Sequence, residues 1–253
     1  MINFFRKIRQ KLLSKNQINK YLLYAFGEIL LVVIGILIAL QINNWSEENK
    51  MNDSISHHLK ILELNLKEDQ IQLEGLKRNM TVNVYSADSA MLQIKTIIPV
   101  NKHIKRYLVQ LLLEYQFSPN TNAMETITQS NEIPALKSEL RTAILDYYAL
   151  IEKTKEREHI SNTQIYTKYE NHFVNEYREV FQKDNEWDFI KAFYKNDPRP
   201  TSPIDKNKLL TDNRLEVLLV SRYFQSTELK NFYEELLISA EDILELLAEE
   251  IED

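Results

Sequence analysis

The residues able to do chemistry are few and scattered. There are five histidines, His57, His58, His103, His159 and His172, and no cysteine. Glu156-x-x-His159 has the spacing that puts a carboxylate and an imidazole on one helical face. A di-iron bundle needs two such motifs and two further glutamates on facing helices, and the second motif is absent. His172-x-x-x-Glu176 is an i, i+4 pair that fits a helix surface equally well. His57-His58 reads as solvent-facing, and each of these residues reads as structural rather than as a metal ligand. No Gly-flanked serine, His-Glu-x-x-His or acidic calcium loop occurs. No catalytic residue, cofactor-binding residue or metal ligand is assigned, no cofactor is expected, and the chain reads as not an enzyme. One acid stands apart from all of these: Glu28 lies inside the most apolar stretch of the chain.

That stretch, residues 21–42, must position anything built around Glu28. From Ile29 to Leu40 no polar side chain occurs. At about 1.5 Å per residue, a helix of this length spans about 33 Å, enough for a hydrocarbon core. Tyr21 and Tyr24 before it and Trp45 after it are placed like interfacial aromatics. It is longer than a signal-peptide core and passes through Ala39-Leu40-Gln41-Ile42-Asn43 without a small-x-small cleavage pair, so an uncleaved signal anchor is expected. Gly35 and Ala39 form a small-xxx-small pair that Gly27 extends along the i, i+4 row, the spacing that lets two helices approach closely. Glu28 precedes Gly35 by seven residues and Ala39 by eleven, so the three share one face. An acid there costs a few kcal/mol unless it snorkels, stays protonated or finds a partner. Its place beside the small residues points to a helix–helix contact made by Gly27, Glu28, Gly35 and Ala39.

Residues 1–20 are basic and carry Arg6, Lys7, Arg9, Lys11, Lys15 and Lys20 with no acid. Phe5, Ile8 and Leu12 recur among them at helical spacing. This is the pattern of a short amphipathic helix in which Arg6, Lys7, Arg9 and Lys11 meet lipid headgroups. Cations confined to one flank place that flank in the cytoplasm. Residues 43–253 are then periplasmic, in a single-pass protein of a bacterial inner membrane.

The segment KYLLYAFGEILLVVIGILIALQINNW, Lys20 to Trp45, with FFRKIRQKLL before it, resembles the start of a family of uncharacterised bacterial inner-membrane proteins. In that family a nearly identical anchor precedes a variable helical region. Gly27-Glu28 and Gln41-Ile42-Asn43-Asn44-Trp45 carry the resemblance. A weaker similarity covers Asn122–Tyr148, where the family's usual glycine after Ser130 is Asn131. The resemblance implies a membrane location and a helical fold, and brings no activity with it.

Only three glycines occur, and Gly75 is the single one after the anchor. Tight hairpins, phosphate loops and nucleophile elbows are disfavoured on that ground, and an all-α fold is expected. From residue 43 to 98 the apolar positions fall into heptads: Ile55, Leu62, Leu76 and Ala90 in one register, and Leu59, Leu66, Leu73, Met80, Ala87 and Ile94 in the other. Asp69 and Asn83 interrupt them. The pattern predicts a long stalk helix, continuing from the anchor, with a coiled-coil or bundle seam. Residues 99–253 then complete a periplasmic helical bundle. Its expected helices are 101–117, 122–129, 134–182, 212–225 and 227–251, the last N-capped by Thr227. The charged stretch Glu152–Ser161 reads as exposed or bent, and a Pro-rich loop is expected at 196–213. Residues 228–253 hold ten acids and one lysine, read as a solvated face opposite Leu229, Leu236, Ile243 and Leu247.

Basic residues are too few and too localised for nucleic acid binding. The partners implied are the lipid bilayer and either a second copy or another envelope protein. The leading expectation is a non-catalytic membrane protein whose exported helical domain mediates protein–protein interaction or assembly. Two alternatives stand beside it. One is a proton-coupled auxiliary subunit of a transport or motility complex using Glu28. The other is a helical ligand-sensing subunit without its own output domain, since thirteen tyrosines and ten phenylalanines leave room for an aromatic-lined pocket.

Overall fold

A computed structural model describes residues 18–96 and 98–252. The described residues are helical with no strand, as a chain so poor in glycine dictates. The elements are α1 (Ile18–Lys95), α2 (Ile104–Gln110), α3 (Asn122–Gln129), α4 (Ser138–Gln164), α5 (Asn171–Glu176), α6 (Asp188–Phe193), α7 (Lys206–Thr211) and α8 (Asn213–Glu252). The chain divides into two compact units, one ending at His57 and one beginning at His58.

In the first unit the apolar stretch lies in α1. Its mean hydropathy reaches 2.5 over an 18-residue window of which nothing is buried, and among the described residues this is the one helix long and apolar enough to cross a membrane.

The second unit is a helical bundle. From Leu59 onward the heptad positions of α1 are buried: Leu59, Leu62, Leu66, Leu73, Leu76, Met80, Ala87, Ala90 and Ile94. Both polar interruptions, Asp69 and Asn83, are buried with them. The seam's partners are later elements of the same chain. Tyr147 of α4 bonds Asp69, and Gln110 of α2 bonds Asn83. The longest pairing is α4 against α8, antiparallel, as the ties Lys137–Glu250, Arg157–Glu228 and Ser161–Gln225 require. Leu229, Tyr233, Leu236, Ala240, Ile243 and Leu247 give α8 its inward stripe. Glu234, Glu235, Glu241, Asp242, Glu245 and Glu249 lie on its exposed side.

Local signals and tertiary structure differ in five places. The helix expected over 101–117 ends at Gln110, and residues 113–121 have no regular secondary structure. The expected 134–182 helix begins as a 3-10 turn, Ile133–Ala135. It then runs as α4, passes through a π turn at Ile165–Glu170, and stops after α5, where Tyr177 turns to φ −130°. The charged stretch Glu152–Ser161 is α-helix, exposed at Glu152, Lys153, Glu156 and His159 as expected but buried at Thr154, Glu158 and Ser161. Thr227 caps nothing, because α8 is continuous and the Thr227 hydroxyl donates to the Tyr223 carbonyl one turn back, which satisfies a threonine inside a helix. The Pro-rich segment 196–213 contains α7, whose N-cap Asp205 accepts from the Asn207 N–H.

Candidate functional site

The described residues carry a constellation of polar side chains, with Asp69, Glu158 and Arg222 buried, around one irregular segment. Residues 113–121 form a strap that packs into the bundle with Phe117 fully buried. Its backbone has no helix or ladder to complete it, and buried N–H and C=O groups must be paired. Side chains from three helices supply the partners. From α1, Gln72 accepts from the Ser118 N–H and donates to its carbonyl, each at 3.0 Å. Asp69 accepts from the Asn120 N–H at 3.1 Å. From α4, Glu158 accepts from the Phe117 N–H at 2.8 Å, and Asn162 donates to the Tyr115 carbonyl at 3.0 Å. From α8, Arg222 donates to the carbonyls of Leu111 and Leu113 at 3.2 and 3.1 Å.

Electrostatics follow from that burial. Desolvation pushes the Asp69 carboxyl up to about 6, opposed by the hydrogen bonds from Asn120 and Tyr147. Burial also raises Glu158, opposed by the Tyr233 hydroxyl at 2.7 Å and the Phe117 N–H. Arg222, 1% exposed, is lowered to about 10 by desolvation and stays charged at neutral pH. Its charge meets carbonyls just past the C-terminal end of α2, where a helix carries partial negative charge, and the Ser161 hydroxyl at 2.8 Å. The carboxylates and the guanidinium are thus engaged in holding backbone. This arrangement positions a chain segment.

The histidines divide in the same way. His58 pairs with the buried Glu132 at 2.7 Å, His103 with Glu186 at 2.5 Å, and His172 with Asp212 at 2.8 Å. Asp212 is held below its usual range although burial opposes this, because the Leu215 N–H, Tyr177 and His172 all donate to it. His172 is buried and turned to Asp212, while Glu176 meets Lys208. Glu156 and His159 are exposed. No group of three or more histidine, aspartate or glutamate side chains among the described residues could hold a metal ion.

The membrane-helix residues lie on α1. Gly27 and Glu28 are half-buried, and Gly35 and Ala39 are exposed. A Cβ added at Gly27 or Gly35 would meet nothing within 4 Å, so in a single chain the small residues accommodate no neighbour. Trp45 is 63% exposed. Tyr21 and Tyr24 fall within α1, and only their backbone is described. The headgroup candidates Arg6, Lys7, Arg9 and Lys11 lie outside the described residues.

Asp69 and Asn83 were visible in the sequence as breaks in an apolar heptad pattern, and both are polar anchors. Glu158 and Arg222 sent no comparable signal. The first lies in a run of charges, and the second is one cation beside Leu218, Leu219 and Val220.

A family of unknown function, DUF6090, matches residues 28–185. The match starts inside the apolar window and takes in α1 from Glu28 onward, the strap and α4. No curated protein matches, and no solved structure matches.

Proposed function

The chain belongs to that family of unknown function, DUF6090, and on this premise we propose that it is a non-catalytic single-pass protein of a bacterial inner membrane. Its helical domain faces the periplasm and engages other envelope proteins or a second copy. The observation that carries this reading is the contrast between the two units. The N-terminal apolar window is wholly unburied, whereas in the second unit even Arg222 is enclosed, its guanidinium donating to the Leu111 and Leu113 carbonyls and to the Ser161 hydroxyl. A chain that encloses a charged side chain in one unit while leaving its most apolar segment bare in the other has that segment matched to lipid. The basic flank directs the N-terminus to the cytoplasm. Within the bilayer Gly27, Glu28, Gly35 and Ala39 form the contact face, where close approach takes the place of hydrophobic driving force.

Two measurements test this reading. A periplasm-active reporter fused after Asp253 is expected to be active, and an inactive reporter overturns the orientation. In-cell crosslinking followed by mass spectrometry is expected to recover a complex with the wild type that Glu28→Ala weakens. Identical crosslinks from both chains would remove the intramembrane contact.

A further inference from the structure

We propose that a cleft in the second unit, between α1, α2 and the segment leading into α6, is a binding site for a small aromatic carboxylate. The cleft has a volume of about 560 Å³, within the range of roughly 300–1,000 Å³ typical of small-molecule sites. Three large aromatic side chains line it among polar ones. Tyr85 of α1 and Tyr107 of α2 meet edge to face with ring centroids 5.8 Å apart, and Trp187 also lines the cleft. Tyr85 is 60% exposed, a large ring turned out from the buried seam of its own helix and toward open space.

The geometry is fixed before any ligand arrives. The Trp187 indole N–H donates to the Arg106 carbonyl at 3.3 Å, and the Arg106 guanidinium lies 5.6 Å above the same ring. The Trp187 backbone N–H donates to the side-chain oxygen of Asn185 at 2.9 Å, and the buried Asn185 amide donates in turn to the Lys105 and Val180 carbonyls. His103, the residue that precedes α2, bonds Glu186 at 2.5 Å and so ties the start of α2 to the segment before α6. Rigid rings held this way lose little freedom on binding, which is the condition for affinity from a small contact area.

The Arg106 guanidinium selects the class of ligand. The lining holds two cations, Arg106 and Lys191, and two acids, Asp188 and Glu186, of which Glu186 is bonded to His103. Arg106 carries a planar fork suited to a carboxylate and lies against an aromatic plane. A single ring bearing one carboxylate places its faces and edges against Tyr85, Tyr107 and Trp187 and its charge at Arg106 and Lys191.

The chain reports on its own cleft. It has two tryptophans, Trp45 and Trp187, so Trp45→Phe leaves Trp187 as the sole indole. The experiment titrates the full-length Trp45→Phe protein, in detergent, with phenylacetate and separately with benzylamine, reading Trp187 fluorescence. Phenylacetate is expected to give a saturable change and benzylamine none. Arg106→Gln is expected to weaken phenylacetate about tenfold, equivalent to about 1.4 kcal/mol, with its thermal melt unchanged. If Arg106→Gln does not fold, Lys191→Gln serves in its place with the same expectation. The proposal is overturned by no saturable response to phenylacetate up to about 10 mM, well beyond the range of useful affinity. An equal response to benzylamine, or an affinity that the folded variant leaves unchanged, overturns it as well.

Discussion

The guanidinium of Arg222 donates to the carbonyl of Leu113 at 3.1 Å, from α8 back to a segment 109 residues earlier. Through this bond and its neighbour to Leu111, the last helix of the chain holds the point where α2 gives way to the strap.

Arg222→Met keeps most of the volume and leaves the Leu111 and Leu113 carbonyls without their donor. The expected loss of stability is about 3 kcal/mol, in the range found when a buried charged partner is removed. Arg222→Lys is expected to recover only part, since one ammonium lacks the fork that serves two carbonyls and a hydroxyl together. Thermal melts followed by far-UV circular dichroism measure both. Wild-type melting of Arg222→Met would show that packing alone holds the strap.

The Asp69 carboxyl titrates at about 6 in the folded chain, above its ordinary value of 3.8. The folded state therefore binds more protons than the unfolded state between those values, and the Asp69 contribution to stability falls as pH rises from about 4 to about 6. Glu158, also raised by burial, acts in the same direction, and Asp212, which is lowered, acts in the opposite one. The difference between wild type and Asp69→Asn isolates the first group. Asp69→Asn is expected to gain stability relative to wild type on going from pH 4 to pH 7, while still accepting from the Asn120 N–H. Parallel melting curves across that range would show that Asp69 is not titrating there.

Asn131 has φ 55° and ends α3 with two bonds, its own N–H to the Thr128 carbonyl and the Glu132 N–H to the Ile127 carbonyl. This is the left-handed helix stop that glycine fills at least cost. Asn131→Gly is expected to match or exceed wild-type stability by about 0.5 kcal/mol, and Asn131→Val to lose about 1 kcal/mol or more. Urea midpoints at fixed m decide it, and a valine variant as stable as wild type would mean that α3 can end another way.

Gly35 has open space where a side chain would stand, so Gly35→Leu is expected to leave the fold of a single chain intact. In the bilayer it is expected to reduce self-association or partner capture about tenfold, by holding a neighbouring helix away from the backbone. Energy transfer between labelled copies in vesicles, together with crosslinking to partners, measures it. No change in either would move the contact off this face.

Much of the architecture was legible in the sequence. The scarcity of glycine specified an all-helical chain, and α3 runs from Asn122 to Gln129 as its local pattern predicts. The heptads after Leu59 identified the buried side of α1 because helical periodicity reports burial whatever the partner is. The resemblance noted at Asn131 implies a glycine at that place, and Asn131 has the positive φ that glycine adopts most readily.

Tertiary structure alone decided the rest. Tyr107, Leu108, Leu111, Leu112 and Tyr115 have helical spacing, yet the helix stops at Gln110. The carbonyls beyond it are claimed by Arg222 and Asn162, 109 and 47 residues away along the chain. Glu158 sits in a charged run that local polarity assigns to solvent, and it is buried because the Phe117 N–H and the Tyr233 hydroxyl both need its oxygen. His103 and Glu186 are distant in sequence and meet only when α2 packs beside the segment before α6. Periodicity reports which face of an element is buried, because that depends on neighbours three and four residues away. Which buried polar groups find one another depends on long-range packing, which has no local signature. The sequence by itself thus determined the class of fold and a segment apolar enough for a membrane, and packing determined the strap, its clamps and the cleft.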